Sequence, residues 1–465
     1  MTASLIDAGR LDAVAPSWNP RRPLRIALLG HFGATPASRA ADTAAMSARR
    51  PRRIDFDTFD DAIAHADLTL DVALPDGRIA GLRIAALDDL HPDELLRQLP
   101  RGSATPDALR AVLMHPELRR LESAWRGVDL VVRELGPGAA LEIHVFDLTA
   151  AEMAADLDAG DDLSRSALYA WLVGRPSEDA DGGYGAVACL HDNDATPTDL
   201  GRLARLARIA AQAGAPLFTA MSTDTLADRR HPPEKAVRAA FDALRARPEA
   251  GFLCLAGPRF QLRHAYGRAT DRIGAFDFEE FDPRLGLRSM CWGHPALVAL
   301  LAWHRGGDLM LRDRPLHVVR DADGDQVALP CTDRLIRADM AVTLREYGVQ
   351  ALMAARNEPA LRVLGLAAVD GTALSRNGPK PVVKAMPAEA MDEARTSAAI
   401  DDVLESRPDR SPAPPAAAGP SDAMPPASSG TTRSDSDSDS AASEDAMDAM
   451  DAMDAELAAL LKSLE

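Results

Sequence analysis

Apolar residues along this chain recur with two different periods. In residues 24–30, Leu24, Ile26 and Leu28 occupy every second position, which predicts a β-strand. A second alternating run, in residues 68–84, is interrupted by Pro75-Asp76-Gly77 and predicts a hairpin. In residues 118–132 apolar residues recur every three or four positions, which predicts an amphipathic helix. The chain therefore mixes strands and helices.

The order of these signals predicts two folded domains and an α/β fold class. Residues 24–115 combine a strand, the hairpin and a helix that opens at Pro92, which is typical of a small α+β domain. In residues 116–375 helix and strand signals alternate, which predicts a larger α/β domain. Within it, Thr149 and Glu152 have the spacing of a capping box at the start of a helix, and Pro295 is predicted to open another helix.

Both ends of the chain depart from this pattern. Residues 1–23 are predicted to be a flexible leader. Residues 376–440 are rich in Pro, Ala, Ser and Asp and are predicted to be a disordered linker, because they cannot bury enough apolar surface to offset chain entropy.

Residues 441–465 regain an apolar stripe and predict an acidic amphipathic helix. Its apolar positions are Met447, Met450, Met453, Leu457, Leu460, Leu461 and Leu464. A helix of this length is marginal by itself, so we expect it to dock into a groove of a partner protein or to fold back on its own domain.

Composition and charge narrow the class of protein. The chain has 465 residues, 46% of them apolar, which is enough for two or three domains with real cores. Residues 401–465 hold 15 acidic and 4 basic residues, so they carry −11 of the net charge of −18. Nucleic-acid binding needs clustered Lys and Arg. The Arg-rich residues 49–53 are the one candidate, and their simpler interpretation is a solvated loop. We therefore expect no nucleic-acid partner.

The spacing of the cysteines and the composition of the N-terminal segment indicate the cell compartment of the protein. The four cysteines are scattered and form no CxxC pair, which is typical of reduced thiols in a cytoplasmic protein. The N-terminal segment has no basic start and no long apolar run, so no signal peptide is predicted. The longest apolar run, residues 296–303, is far shorter than the roughly 20 residues that span a bilayer. We expect a cytoplasmic protein without a membrane partner.

Motifs for catalysis or cofactor binding are not found in the sequence. It contains no phosphate-binding GxxxxGK[ST], no GxSxG and no HExxH. Residues 321–325 superficially suggest a calcium loop, but the glycine stands at the wrong position. His191 beside Asp192 could serve acid–base chemistry in a hydrolase, although a polar loop after a strand explains it more simply. No catalytic residue, cofactor or metal is predicted.

Two short blocks place a Trp near a Gly in apolar surroundings. Residues 121–127 read Leu-Glu-Ser-Ala-Trp-Arg-Gly, and residues 290–296 read Met-Cys-Trp-Gly-His-Pro-Ala. Both resemble motifs of TssC, the large subunit of the contractile sheath of type VI secretion systems. Gly-Pro-Arg-Phe at 257–260 and Phe-Glu-Glu-Phe at 278–281 follow in the order of that family. The earlier part, residues 24–115, resembles the small subunit, TssB.

The resemblance implies a non-enzymatic structural protein that assembles with sheath subunits. It marks these residues as determinants of fold or assembly: Trp125, Arg126, Gly127, Arg259, Trp292, Gly293 and Pro295. The residues themselves predict that Trp125 is in the core and that Arg126 satisfies nearby carbonyls. Gly127 and Gly293 are predicted to allow a close backbone approach or a turn.

Two departures from the family suggest an alternative role. The two subunits are separate proteins in the family, whereas here a single chain resembles the small subunit in its first part and the large subunit in its second part. The large subunit's C-terminal domain is not recognisable after residue 375, and the linker and tail stand in its place. The alternative is a sheath-fold accessory, such as a cap, a baseplate-proximal protein or a regulatory adaptor. Such a protein would recruit a baseplate or assembly protein, or the recycling ATPase ClpV, through residues 441–465.

Overall fold

Strands and helices alternate along most of the described chain, as the sequence predicts. The computed structural model describes residues 6–11, 22–33, 43–178, 182–227, 232–320, 326–355 and 357–376. Most of the predicted leader and linker, and all of the predicted terminal helix, lie outside the described residues.

The helices are α1 (Thr43–Ala48), α2 (Phe59–His65), α3 (Pro92–Gln98), α4 (Pro106–Leu113), α5 (Pro116–Leu135), α6 (Ala150–Asp158), α7 (Ala167–Tyr169), α8 (Arg175–Glu178), α9 (Pro197–Ala213), α10 (Lys235–Arg245), α11 (Pro295–His304) and α12 (Ala338–Glu346). The strands are β1 (Leu24–Gly30), β2 (Arg52–Ile54), β3 (Leu68–Ala73), β4 (Ile79–Ile84), β5 (Leu141–Asp147), β6 (Ala186–Cys189), β7 (Leu217–Ala220), β8 (Leu253–Gly257), β9 (Phe260–Gln261), β10 (Trp292–Gly293), β11 (Leu309–Leu311), β12 (Val318–Arg320), β13 (Gln326–Ala328), β14 (Val349–Ala351), β15 (Met353–Ala354) and β16 (Leu361–Val363).

A seven-stranded sheet forms the centre of the fold, in the order β14-β8-β7-β6-β1-β5-β2. Six strands are parallel, and β2 runs antiparallel to β5 at one edge. β1, β6, β7 and β8 are buried at every position, because helices cover both faces of the sheet. The order β5-β1-β6-β7-β8 is the 2-1-3-4-5 order of a flavodoxin-like doubly wound sheet. The predicted α/β class is confirmed.

The helices divide between the two faces of this sheet. α5 and α11 pack on one face, against Ile26 and Leu28 of β1. α9 and α10 pack on the other, with Ala27 and Leu29. α5, which leads from the β1 side into β5, and α9, which leads from β6 into β7, therefore cover opposite faces of the sheet. Adjacent strands whose connections leave in opposite directions open a crevice at their carboxyl ends.

The first predicted domain is not a separate sheet. β1 lies between β5 and β6, so residues 24–30 share the central sheet with strands from 116–375. The predicted hairpin is formed by β3 and β4, and its turn places Gly77 at φ +81°. The hairpin, α3 and α4 lie beside α5.

Local helix signals are confirmed at the predicted positions. Thr149 Oγ1 accepts a hydrogen bond from the amide of Glu152 at 3.1 Å, and the Glu152 carboxylate accepts one from the amide of Thr149 at 3.0 Å. Pro295 is the first residue of α11. In the described part of the chain, no helix is both long and apolar enough to cross a membrane.

The Arg-rich residues 49–53 are not simply a solvated loop, so that interpretation is wrong. β2 begins at Arg52 and forms the edge of the central sheet. Arg49 pairs with the buried carboxylate of Glu152 at 2.5 Å, and Arg53 pairs with Glu142 at 3.1 Å. These carboxylates neutralise part of the basic patch.

Candidate functional site

The two tryptophan-glycine blocks pack directly on each other, although about 165 residues separate them in sequence. One lies on α5 and the other runs from β10 into α11. A Cβ atom at Gly127 would stand 2.6 Å from Leu297 Cδ1, so a side chain at this position would displace the buried Leu297 side chain between α5 and α11. The Ser123 hydroxyl donates a hydrogen bond to the carbonyl of Trp292 at 2.6 Å.

Trp125 joins α5 to the end of β1. Its side chain is 2% exposed, and the indole Nε1 donates to the carbonyl of Phe32 at 3.1 Å. The rings of Phe32 and Phe59 stand edge-on to it, with centroids at 5.5 and 6.0 Å. The structure thus places Trp125 in the core.

The second block is anchored in a similar way. Trp292 pairs with Gln261 between β10 and β9, and its indole Nε1 donates to the carbonyl of Leu287 at 2.8 Å. A Cβ atom at Gly293 would stand 2.7 Å from Phe260 Cζ. Gly293 therefore leaves room for the side chains of Phe260 and Leu262, while the close backbone approach stays a prediction.

Arg126 points into a group of buried charges. Its Nε donates to the Glu122 carboxylate at 2.7 Å, and its Nη2 donates to the Tyr266 hydroxyl at 3.2 Å. These partners are side chains, rather than the backbone carbonyls that the sequence suggests.

Arg263 lies at the centre of this group. It donates to Glu122 at 2.7 and 3.0 Å and to Glu280 at 2.6 and 2.9 Å. Its guanidinium carbon lies 4.1 Å from the centroid of the Tyr266 ring. The Tyr266 amide also donates to Glu280 at 2.9 Å. We call these five residues, Glu122, Arg126, Arg263, Tyr266 and Glu280, the buried ion network.

The network is electrically balanced, with two carboxylates and two guanidinium groups. Burial by itself raises the pKa of Glu122, but Arg263 and Arg126 outweigh it and hold that pKa at about 2. Burial lowers the pKa of Arg263, and Glu122 and Glu280 more than compensate and raise it well above its ordinary value. Glu122 and Arg263 are therefore charged at neutral pH, which suits structure better than proton transfer.

Two members of the network belong to motifs in which the sequence assigns them no role. Glu122 belongs to the first block, and Glu280 belongs to the Phe-Glu-Glu-Phe motif. A usable signal exists for Glu122, because it is a carboxylate on the buried face of a predicted amphipathic helix. Arg263 carries no local signal, because its partner Glu122 is 141 residues away.

A cavity of about 770 Å³ opens at the carboxyl ends of β1 and β6, and we call it the edge cavity. His31 follows β1, His191 and Asp192 follow β6, and His294 precedes α11. Arg259 also lines it and pairs with the Asp192 carboxylate.

His191 occupies this cavity but does not have the properties of a general base at neutral pH. It is 6% exposed, and burial, with His294 nearby, lowers its pKa to about 4. Burial raises the pKa of the Cys189 thiol to about 12, so this neighbour is not a thiolate. Among the described residues, no three His, Cys, Asp or Glu side chains are grouped so as to hold a metal ion.

The region of the chain in which the two tryptophan-glycine blocks meet is similar to known proteins. Residues 104–303 match the VipB family, described as the EvpB/VC_A0108 tail sheath N-terminal domain. The chain is also 25% identical over 199 residues to the type VI secretion system sheath protein TssC1 of Pseudomonas aeruginosa, an alignment that covers 40% of each protein.

These matches confirm the resemblance to type VI sheath proteins for the TssC-like part. The family match begins before residue 116, the predicted domain boundary, and includes both tryptophan-glycine blocks and the whole buried ion network. The chain spans about two fifths of the length of the curated relative. The TssB-like character of residues 24–115 stays a prediction.

Proposed function

We propose that this chain is a non-enzymatic structural component of a type VI secretion system and acts by assembling with sheath subunits. The observation that carries the proposal is the match of residues 104–303 to a tail sheath N-terminal domain. The relative is named a sheath protein, and the same motifs are present here in the same order.

The motif side chains contact other residues of the same chain, and this supports a structural role. Trp125 and Gly127 fix α5 against β1 and α11, and the charges of the buried ion network are paired within the chain. Side chains arranged in this way stabilise a scaffold and leave its outer surface for assembly.

Electron microscopy of the purified full chain tests the proposal. The chain is imaged alone and mixed with the small and large sheath subunits of the same system. We expect it to be incorporated into, or bound to, sheath assemblies. Tubes formed by the chain alone would overturn the accessory alternative, whereas no association in any mixture would overturn both.

A sheath-fold accessory is the second candidate, and one observation favours it. Residues 441–465 are predicted to form an acidic amphipathic helix, which a long predicted linker separates from the sheath-like part. In this role residues 441–465 recruit a partner, for which a ClpV-type ATPase and baseplate or assembly proteins are the candidates.

Deletion of residues 441–465 tests the accessory role. We expect the loss of one specific interaction, measured by pull-down, without a change in melting temperature. Met450→Ser on the predicted apolar stripe should reproduce the loss, while Asp451→Asn beside it should not. A large drop in melting temperature would show instead that this segment packs on its own domain.

The proposed compartment is the cytoplasm. All four cysteines are buried free thiols, which is the state that a reducing compartment maintains. Fractionation of cells that express the chain should recover it with cytoplasmic markers.

A further inference from the structure

The edge cavity lies where doubly wound sheets bind ligands. β1 and β6 are neighbours, and the helix that leads into β5 (α5) and the helix that follows β6 (α9) pack on opposite faces of the sheet, so the carboxyl ends of β1 and β6 flank the topological switch point. The residues that follow them, His31 and Leu190 to Asp192, line the cavity. Its volume of about 770 Å³ is within the range of pockets for small organic molecules.

His294 presents an unused donor to this cavity. Its Nδ1 accepts a hydrogen bond from the amide of Ala296 at 3.3 Å, so the neutral ring carries its proton on Nε2. This buried Nε2 makes no hydrogen bond of ordinary length in the described part of the chain, and the backbone carbonyl of His191 lies near the ring. The nearest carboxylate oxygen, on Asp192, is 3.8 Å away. Nε2 of His191, 6% exposed, is likewise without a described partner.

The charged side chains around the cavity are mostly cationic. Arg119, Arg120, Arg259 and Arg288 line it, against a single carboxylate, that of Asp192. Arg259 pairs with Asp192, and Arg120 pairs with Glu117 outside the cavity. The guanidinium of Arg119 donates to backbone carbonyls. Arg288 is exposed, and it forms no ion pair with any described residue. Positive charge is thus left over at the mouth of a cavity that also contains an unused donor.

We propose that the edge cavity binds a small organic anion, whose phosphate or carboxylate group accepts a hydrogen bond from His294 Nε2 and is attracted by Arg288. Charge-assisted hydrogen bonds of this kind are about twice as strong as neutral ones. Trp292, Leu285 and Leu297 line the same cavity and offer apolar surface to the rest of such a molecule. This site is independent of sheath assembly, because all of its residues belong to one chain.

Isothermal titration calorimetry of the full chain with inorganic phosphate tests the proposal, with chloride at equal ionic strength as the reference. His294→Asn removes the Nε2 donor, while the Asn side chain can still cap α11. Arg288→Ala removes an exposed side chain and should leave folding intact. We expect saturable phosphate binding that is weakened about tenfold or more by each variant. Arg284→Ala, an exposed arginine outside the cavity lining, is the matched control and should bind like the unmodified chain.

Absence of saturable binding, or equal binding by His294→Asn, Arg288→Ala and Arg284→Ala, would overturn the site. Circular dichroism confirms that each variant is folded before it is titrated. If the site is confirmed but electron microscopy shows no association with sheath subunits, only the proposed function fails, so the two proposals can fail separately.

Discussion

The buried ion network and the edge cavity both border α5, and both contain polar side chains that are removed from water. They differ in how these side chains are paired. In the network, Arg263 bonds both Glu122 and Glu280 within 3.0 Å. In the cavity, Nε2 of His294 and Nε2 of His191 have no partner among the described residues.

This difference separates a structural role from a binding role. A buried polar group that is fully paired fixes the packing around it, and removal of either partner leaves an uncompensated charge. A buried polar group that is unpaired beside a cavity costs free energy unless a ligand or water pairs with it. Mutations in the two regions should therefore affect different measurements, with stability falling in the first and ligand binding in the second.

The largest expected effect is that of Arg263→Ala. It leaves Glu122 and Glu280 buried without their shared cation, so the free energy of unfolding should fall by about 3–5 kcal/mol, measured by urea denaturation. Arg133→Ala breaks an exposed ion pair with Asp129 on the same helix and should cost less than about 1 kcal/mol. Similar values for the two variants would show that the network contributes no more than a surface pair.

Gly127→Ala should have a smaller effect. The added methyl group would meet Leu297 Cδ1 and force this buried side chain to shift, at a cost of about 1–3 kcal/mol, partly offset by the better helix propensity of Ala. In a Leu297→Ala background the same substitution should cost much less, because the clashing atom is gone.

Gly138→Ala is the control for this cycle, because a Cβ atom there has no neighbour within 4 Å. Thermal or urea unfolding of the four proteins of the cycle gives the coupling energy between positions 127 and 297. A coupling energy near zero would contradict the direct contact of the two blocks.

The smallest expected effect is a shift in pH dependence at the edge cavity. Burial lowers the pKa of His294 to about 4 from an ordinary value of 6.5, so an unfolded chain binds this proton at higher pH than the folded chain does. The stability due to the neutral ring is complete above about pH 6.5 and is lost as the pH falls toward 4.

His294→Asn should therefore reduce the loss of stability between pH 7 and 5.5 by about 1 kcal/mol, measured by urea unfolding at each pH. Unchanged pH dependence in His294→Asn would contradict a buried neutral imidazole.

Acid should destabilise the two regions in succession. The pKa of Glu122 is lowered to about 2, so the stability that its charge provides is complete above its ordinary pKa of 4.5 and is lost only as the pH falls from there toward 2. The cavity histidines change charge first on acidification, and the network follows.

Local interactions made much of the fold predictable. The hairpin turn at Gly77, the capping box of Thr149 and Glu152, and the start of α11 at Pro295 each depend on residues within four positions of one another. Their sequence signals are therefore complete in short windows, and together they predict the α/β class.

The sequence by itself also identified the tryptophan-glycine blocks as belonging to a sheath-type domain. Tertiary structure alone decided that β1 lies inside the sheet of the second predicted domain, that Arg52 begins an edge strand, and that Arg263 joins Glu122 to Glu280. These pairings join residues far apart in the chain, and packing of the whole domain selects them among many possible partners. For the same reason, the unpaired donor of His294 emerged only when the carboxyl ends of β1 and β6 were placed side by side.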